Sequence, residues 1–322
     1  MTQRSWILIV VAVLAVVALA VVVSTRSDAP PAVRAEAPAH QGLVLLVVRT
    51  DAGPQAAVLG STGFGKTGAL ILPPKAVLTV PGQGEATLGE ALGLPPRQAA
   101  TAAGNLLGVW VDHYAVVDAE QLASVVDRAV GVEVAGEKLG GEDVIARLAD
   151  PATDQTTQLQ LILEGLLASG AQWRPGDLSE SDGPAALQTL TAANGSRVVA
   201  VPTEEVASGV FQARSEQVSG ALVDAFAGPE GDAVSVIVLN GNGVPGIGER
   251  VAEKILSGGF RIVVSENASS FDHEQTLVVV GSADDVALGE RVRDLLGVGS
   301  VSVSVRSGIA PVTIVVGKDF VG

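Results

Sequence analysis

Residues 43–48 read LVLLVV, six apolar side chains in a row with no polar break. Successive side chains on a strand point to opposite faces, so such a run suits a strand buried on both sides. Asp51-Ala52-Gly53-Pro54 marks a turn, and Ala56–Leu59 and Ala69–Leu72 read as further strands. Ala99–Leu107 is expected as a helix and Tyr114–Val117 as a strand. Ala119–Arg128 is expected as a helix with Asp118 as its N-cap, and Gln155–Leu167 as another. Alternating strands and helices give an α/β domain over 42–205. Residues 170–197 are richer in Gly, Pro, Ser and Asp and read as looser, before a short strand at Val198–Val201. Ser208–Phe226 reads as a helix leading out of the domain, and GPEGD (228–232) breaks the chain, so 206–232 is a connecting helix and linker. Residues 233–322 form a smaller α/β unit. Its expected strands are Val234–Leu239, Phe260–Val264, Gln275–Val280, Val301–Val305 and Val312–Val316. Its expected helices are Ile247–Leu256 and Asp284–Leu296.

A second apolar run has a different meaning. Residues 6–23 (WILIVVAVLAVVALAVVV) hold no polar side chain. Eighteen residues at 1.5 Å rise span about 27 Å, enough to cross a hydrocarbon core. Arg4 before the run favours a cytoplasmic N-terminus. The expected arrangement is residues 1–23 as a cytoplasmic tip and transmembrane anchor, with 24–41, holding three prolines, as a linker. That places the protein as a single-pass protein of the plasma membrane with its bulk extracytoplasmic. Ala18-Leu19-Ala20 also fits a cleavage pattern, and a removed signal segment leads to the same compartment.

The formal charge of −15 excludes a nucleic-acid partner, which needs Lys and Arg to displace counterions from phosphates. The chain has no cysteine, which removes disulfides, thiolate metal sites and cysteine nucleophiles. Three histidines, at 40, 113 and 273, make a multi-histidine metal site an unsuitable reading. Outside residues 6–23 roughly 45% of the chain is apolar, ordinary for a globular core.

Two glycine motifs match known signatures on paper. Gly60 to Thr67 fits the P-loop pattern through Gly60, Gly65, Lys66 and Thr67. A P-loop must open a helix, whereas here GALIL runs into Pro73-Pro74, so no helix N-terminus is available for phosphate. A hairpin loop is expected instead. Gly241, Gly243 and Gly246 fit GxGxxG, with Glu266 ending the next strand. The unit is too short for two mononucleotide halves, and Pro245 removes an N–H from the loop that would hold pyrophosphate. Both are read as false matches, so no cofactor-binding residue and no metal ligand is assigned.

VIVLNGNGVPGIGERVAEKILSGGFRIVVSENA (236–268), TLVVVG (276–281) and VTIVVGKDF (312–320) together resemble the LytR C-terminal domain, found at the end of many bacterial cell-wall proteins. Residues 106–118 (LLGVWVDHYAVVD), the following LASVVDRAVGVEV (122–134), Leu72-Pro73 with Val80-Pro81, and Leu139-Gly140-Gly141-Glu142-Asp143 resemble the LytR-CpsA-Psr catalytic domain. That resemblance implies an envelope protein that moves glycopolymers from a polyprenyl-pyrophosphate carrier onto peptidoglycan with magnesium. The family grips pyrophosphate with arginines, because guanidinium donates paired hydrogen bonds and keeps its charge. Where the family has P-R-D, this chain has Pro73-Pro74-Lys75, and its R-x-R segment is reduced to Arg147. The family's arginine-bearing helix becomes Asp154-Gln155-Thr156-Thr157-Gln158-Leu159-Gln160. Lys75 and Arg147 are the remaining candidates to touch an anion, with Lys66 and Arg97 the other cations of the region. Asp112 and Asp118 are expected as caps or turn residues, and His113 as part of a structural stretch leading into a strand. The expected function is a non-catalytic LytR-CpsA-Psr-like binding or scaffold protein in cell-wall assembly, with no cofactor. Its partners are the membrane through 6–23 and a glycopolymer, a polyprenyl-linked lipid or another envelope protein. The alternative is an active, divergent glycopolymer transferase requiring magnesium.

Overall fold

A computed structural model describes residues 42–61, 66–150, 152–226, 231–304 and 309–321. The expected anchor and linker, 1–41, lie outside these, and no helix among the described residues is long and apolar enough to cross a membrane.

The LVLLVV run is the centre of the first unit. Strand β1 (Leu43–Thr50) pairs antiparallel with β2 (Gly53–Ser61), which pairs antiparallel with β3 (Thr67–Leu72). A hairpin of β4 (Ala76–Val80) and β5 (Gly84–Thr87) leads into helices α1 (Leu88–Ala91) and α2 (Pro96–Leu107). Strand β6 (His113–Asp118) returns parallel to β1 and passes into α3 (Ala119–Arg128). There follow the hairpin β7 (Val132–Val134) and β8 (Glu137–Leu139), then α4 (Gly141–Ala149), α5 (Gln155–Ala168), β9 (Glu180–Ser181), α6 (Pro184–Ala192) and β10 (Arg197–Ala200). The hairpin β11 (Glu204–Ala207) and β12 (Val210–Gln212) precedes α7 (Ser215–Phe226).

The main sheet has the order β10-β3-β2-β1-β6-β9, and β11-β12-β4-β5 forms a second sheet. Leu43, Leu45 and Val47 face a core shared with α2 and α7. Val44, Leu46 and Val48 face the opposite core, under α3, α4, α5 and α6. Both phases of β1 are therefore buried, which is why its sequence shows no alternation.

Two stretches depart from the sequence reading. Residues 170–197 contain α6, opened by Gly183 and by Pro184, whose fixed φ suits the first helical position. Ser208–Phe226 is not one helix: Gly209, at φ 76°, turns the β11–β12 hairpin, and the helix starts only at Ser215. Nor does that helix lead out of the unit. Val218, Leu222 and Phe226 of α7 are buried in the first core.

The second unit contains β13 (Val234–Asn240), α8 (Ile247–Ile255), β14 (Phe260–Asn267), β15 (Leu277–Val280), α9 (Val286–Leu296), β16 (Ser300–Val303) and β17 (Val312–Val316). Its sheet runs β14-β13-β17-β15-β16, with β15 antiparallel to β17 and the other pairs parallel. Helices α8 and α9 contribute to one shared core. A bulge shifts the β13–β14 register, so that Val236 faces Ile262 but Ile237 faces Val264.

The outer edge of β14 is where the units join. The Asn105 side chain, on α2, donates to Ile262 O at 2.8 Å and accepts from Ile262 N at 2.6 Å. Its second N–H donates to Thr79 O at 2.8 Å. One amide thus treats the edge of β14 as a neighbouring strand would. Thr79 Oγ1 donates to Val263 O at 2.9 Å and Gly82 N donates to Ser265 Oγ at 2.8 Å. Gly248 lies so close that a Cβ there would meet Gly82 N at 2.5 Å. Trp110 packs against the second core.

Truncating Asn105 strands buried backbone groups on both units, at about 1–3 kcal/mol for a group left without a partner. Asn105→Ala is therefore expected to lower denaturant-unfolding stability by at least that range. A loss below about 0.5 kcal/mol would show that water replaces the amide.

Candidate functional site

The parallel strands β1 and β6 end together, and a cavity of about 420 Å³ opens beyond them. It is lined by Arg49, Asp51, Asp118 and Glu120 with Thr50, Ala119, Ile145 and Ala149. One guanidinium faces three carboxylates, and Arg49 lies 3.9 Å from Glu180. This mouth repels an anion.

The sequence candidates are not gathered there. Lys75 sits in the turn between β3 and β4, with Nζ 5.8 Å from the centroid of Phe211 on β12. Arg147, on α4, pairs with Glu137 on β8. Neither lines the cavity beyond β1 and β6. Gly60 pairs with Gly68 and Ser61 with Thr67 across the β2–β3 hairpin, placing Lys66 just before β3. Residues 62–65, with Gly65, lie outside the described residues.

The best-held cation of this unit is Arg97, at the start of α2. It donates to Val111 O at 2.9 Å, Asp112 O at 2.7 Å and Asp182 at 2.7 Å. Its guanidinium also lies 5.8 Å from the Trp110 ring and 5.5 Å from the Tyr114 ring. His113 Nδ1 is 3.4 Å from the same Asp182 carboxylate. Asp112 accepts from Leu43 N at 2.8 Å, and the Asp118 N–H donates to Gln121 at the start of α3. All these groups hold the strand–helix joints in place. Arg49, Arg97, Arg128, Arg147 and Arg214 are each in an ion pair with a different acidic residue.

Among the described residues the magnesium implied by the transferase alternative finds no fitting donor set. Pro74 and Lys75 bring no carboxylate to the motif position, and Asp112 is spent on Leu43. Among the described residues no three His, Asp or Glu side chains converge as a metal cage.

A larger crevice, of about 540 Å³, lies between the units. Gly82 and Gln83 of the β4–β5 turn form one wall. The β13–α8 loop, Ser265, Glu266, Asn267 and Phe271 form the other. Asn240 builds that loop: its Oδ1 accepts from Gly243 N at 2.9 Å and its Nδ2 donates to Val244 O at 3.1 Å. Gly243 and Gly246 have φ of 73° and 75°, which explains glycine at both positions. The GxGxxG match is thus a built turn on a real crevice. Sequence reading missed Asn105 and Phe271. The signals available were a polar residue within the otherwise small and apolar stretch of α2 and a single aromatic in a polar run, SSFDHE.

Comparison with known proteins bears on each unit. Residues 233–320 match the family model described as LytR cell envelope-related transcriptional attenuator. The second unit is similar to the LytR C-terminal family. In fold, the chain is similar to a LytR-Csp2A-Psr enzyme from Actinomyces oris, at 16% identity and TM-score 0.46, over 63% of this chain and 98% of that one. It is also similar to TagT of Bacillus subtilis, at 14% identity and TM-score 0.45, over 61% of this chain and 91% of that one. A LytR-CPS2A-psr protein solved with octaprenyl pyrophosphate bound matches at 14% identity and TM-score 0.43, over 62% of this chain and 92% of that one. No curated protein matches the chain.

Near the crevice, burial raises the Glu249 carboxyl pKa and Glu253 adds repulsion, against the opposing Gln98 hydrogen bond and Arg97. A carboxyl with a higher pKa folded than unfolded binds its proton more tightly in the native state. Its ionisation then removes stability as pH rises above the ordinary glutamate range. Glu249→Gln is expected to raise the melting temperature at pH 7, with the gain fading below about pH 4. An equal gain at both pH values would assign the effect to something other than the charge.

Proposed function

We propose that this is a non-catalytic, LytR-CpsA-Psr-like binding or scaffold protein of the bacterial cell envelope. In this reading residues 6–23 anchor it in the plasma membrane, the N-terminus is cytoplasmic and both units lie outside. Its second unit, of the LytR C-terminal type, engages a partner or wall material. The observation that carries the reading is the dispersal of cations in the first unit. Lys75 leans on Phe211, Arg147 on Glu137 and Arg97 on Asp182, so each is engaged by a different local group.

Pyrophosphate in a low-dielectric groove demands several convergent, charge-assisted hydrogen bonds. The cavity at the carboxyl ends of β1 and β6 instead presents Asp51, Asp118 and Glu120. Both faces of the main sheet are packed: Leu43, Leu45 and Leu70 on one side and Leu46, Leu59 and Ile71 on the other are at most 1% exposed.

The purified full-length protein, given a polyprenyl-pyrophosphate-linked glycan and peptidoglycan with magnesium, is expected to transfer none. Turnover that is abolished by Lys75→Ala or Arg147→Ala would overturn the proposal in favour of a divergent transferase. Deleting residues 6–23 is expected to move the protein from the membrane fraction to the soluble one. Retention of the shortened protein in carbonate-washed membranes would refute the anchor.

A further inference from the structure

The crevice between the units is unused by the reading above. We infer that it binds a neutral, hydroxyl-rich ligand, a sugar residue presented by its C–H face and a pair of neighbouring hydroxyls. This goes beyond the scaffold reading and holds whether or not the first unit turns over a substrate.

Size and position come first. About 540 Å³ falls within the range of sites that enclose small ligands. The crevice lies outside the carboxyl ends of β13 and β14, where α/β sheets place their ligands. Its far wall is the Gly82-Gln83 turn of the other unit, fixed through Ser265. The space is therefore part of a rigid junction.

The lining selects the class. Phe271 is 47% exposed, unusual for a phenylalanine, and its ring rests on Gly243, where a Cβ would lie 3.2 Å from Cγ. An aromatic face carries negative charge density and attracts the polarised C–H bonds of a sugar ring. Glu266 and Asn267 end β14, and among the described residues no hydrogen bond or ion pair engages their side chains. A carboxylate carries two acceptor oxygens and can accept from two adjacent hydroxyls, and an acid in this place accepts from a sugar hydroxyl in other α/β crevices. Asn267 and Gln83 each supply both donor and acceptor atoms, which suits hydroxyls that do both. Gln83 gives one Nε2 hydrogen to Gln98, at 3.1 Å, and keeps the other and its Oε1.

Charge removes the competing classes. Among the described residues no Lys or Arg lines the crevice, Glu266 stands on its wall, and burial raises the carboxyl pKa of Glu249 beside it. A phosphate would meet repulsion, and Pro245 deprives the loop of an N–H to offer it. A single exposed carboxylate is a weak hold on a cation in water.

The test is binding to the full-length protein in a detergent without a sugar headgroup, by ligand-observed NMR and calorimetry. Tri-N-acetylchitotriose and a panel of other neutral oligosaccharides are the probes, with trilysine and inorganic phosphate as the charged arms. At least one neutral oligosaccharide is expected to bind at millimolar concentration or below. Phe271→Ala is expected to weaken that binding about tenfold at unchanged melting temperature. Glu266→Gln is expected to weaken it several-fold, while Lys75→Ala leaves it untouched. Failure of the whole neutral panel, binding of trilysine or phosphate in its place, or affinity undiminished in Phe271→Ala would each overturn the inference. None of these results bears on the transfer assay, so the two readings fail separately.

Discussion

The junction of the two units depends on one side-chain amide occupying the place of a strand. Strand β14 is an edge, and its outward N–H and C=O groups need partners or water. Asn105 supplies a donor and an acceptor to the same residue, Ile262, and reaches Thr79 with what is left. That three-way contact sets where β4 and its turn fall, and with them the wall of the inter-unit crevice. Gly248 can approach Gly82 so closely only because it carries no side chain, and Gly82 takes a φ of 80° that favours glycine. The arrangement leaves little slack: shifting either unit by a fraction of a residue would break several short hydrogen bonds at once.

The charges of the first unit follow a consistent rule. Each well-held arginine is matched to a local carboxylate or carbonyl, and the matches lie on different elements. Such pairing suits a fold that needs its helix and strand joints fixed, since a half-buried guanidinium without acceptors would be costly. It also dissipates the concentrated positive field that a pyrophosphate would require. A net charge of −15 describes the whole chain, but the distribution matters more. The mouth beyond β1 and β6 is more acidic than basic.

Much of the layered fold was legible in the sequence, because burial leaves a periodic trace. The LVLLVV run announced a strand buried on both faces, and Asp118 to Arg128 was readable as strand end, cap and helix. The β11–β12 hairpin was not legible, since Val206 and Val210 are 50% and 39% exposed and carry no inward pattern. Helix α7 was assigned outward for a related reason: nothing local tells whether an apolar stripe faces its own unit or the next. The inter-unit contact was beyond reach, because Asn105 and Ile262 stand 157 residues apart. The site was legible mainly by subtraction: missing arginines could be counted, but the dispersal of those that remain needed the fold. Gly243 and Gly246 take the positive φ of a turn, and the crevice beside them was not seen at all.

The bulge in β14 makes that strand carry two alternations in succession. Phe260 and Ile262 are buried before it, and Ser265 after it, so the inward phase moves from even to odd positions. The first half of the strand therefore answers to the core, and the second half to the neighbouring unit. A chain lacking one residue at 263 would keep Val264, Ser265 and Glu266 opposite Ile237, Val238 and Leu239, but would lose the carbonyl to which Thr79 of the other unit donates. The extra residue thus leaves the pairing with β13 intact on both sides and adds one backbone acceptor at the edge where the other unit docks.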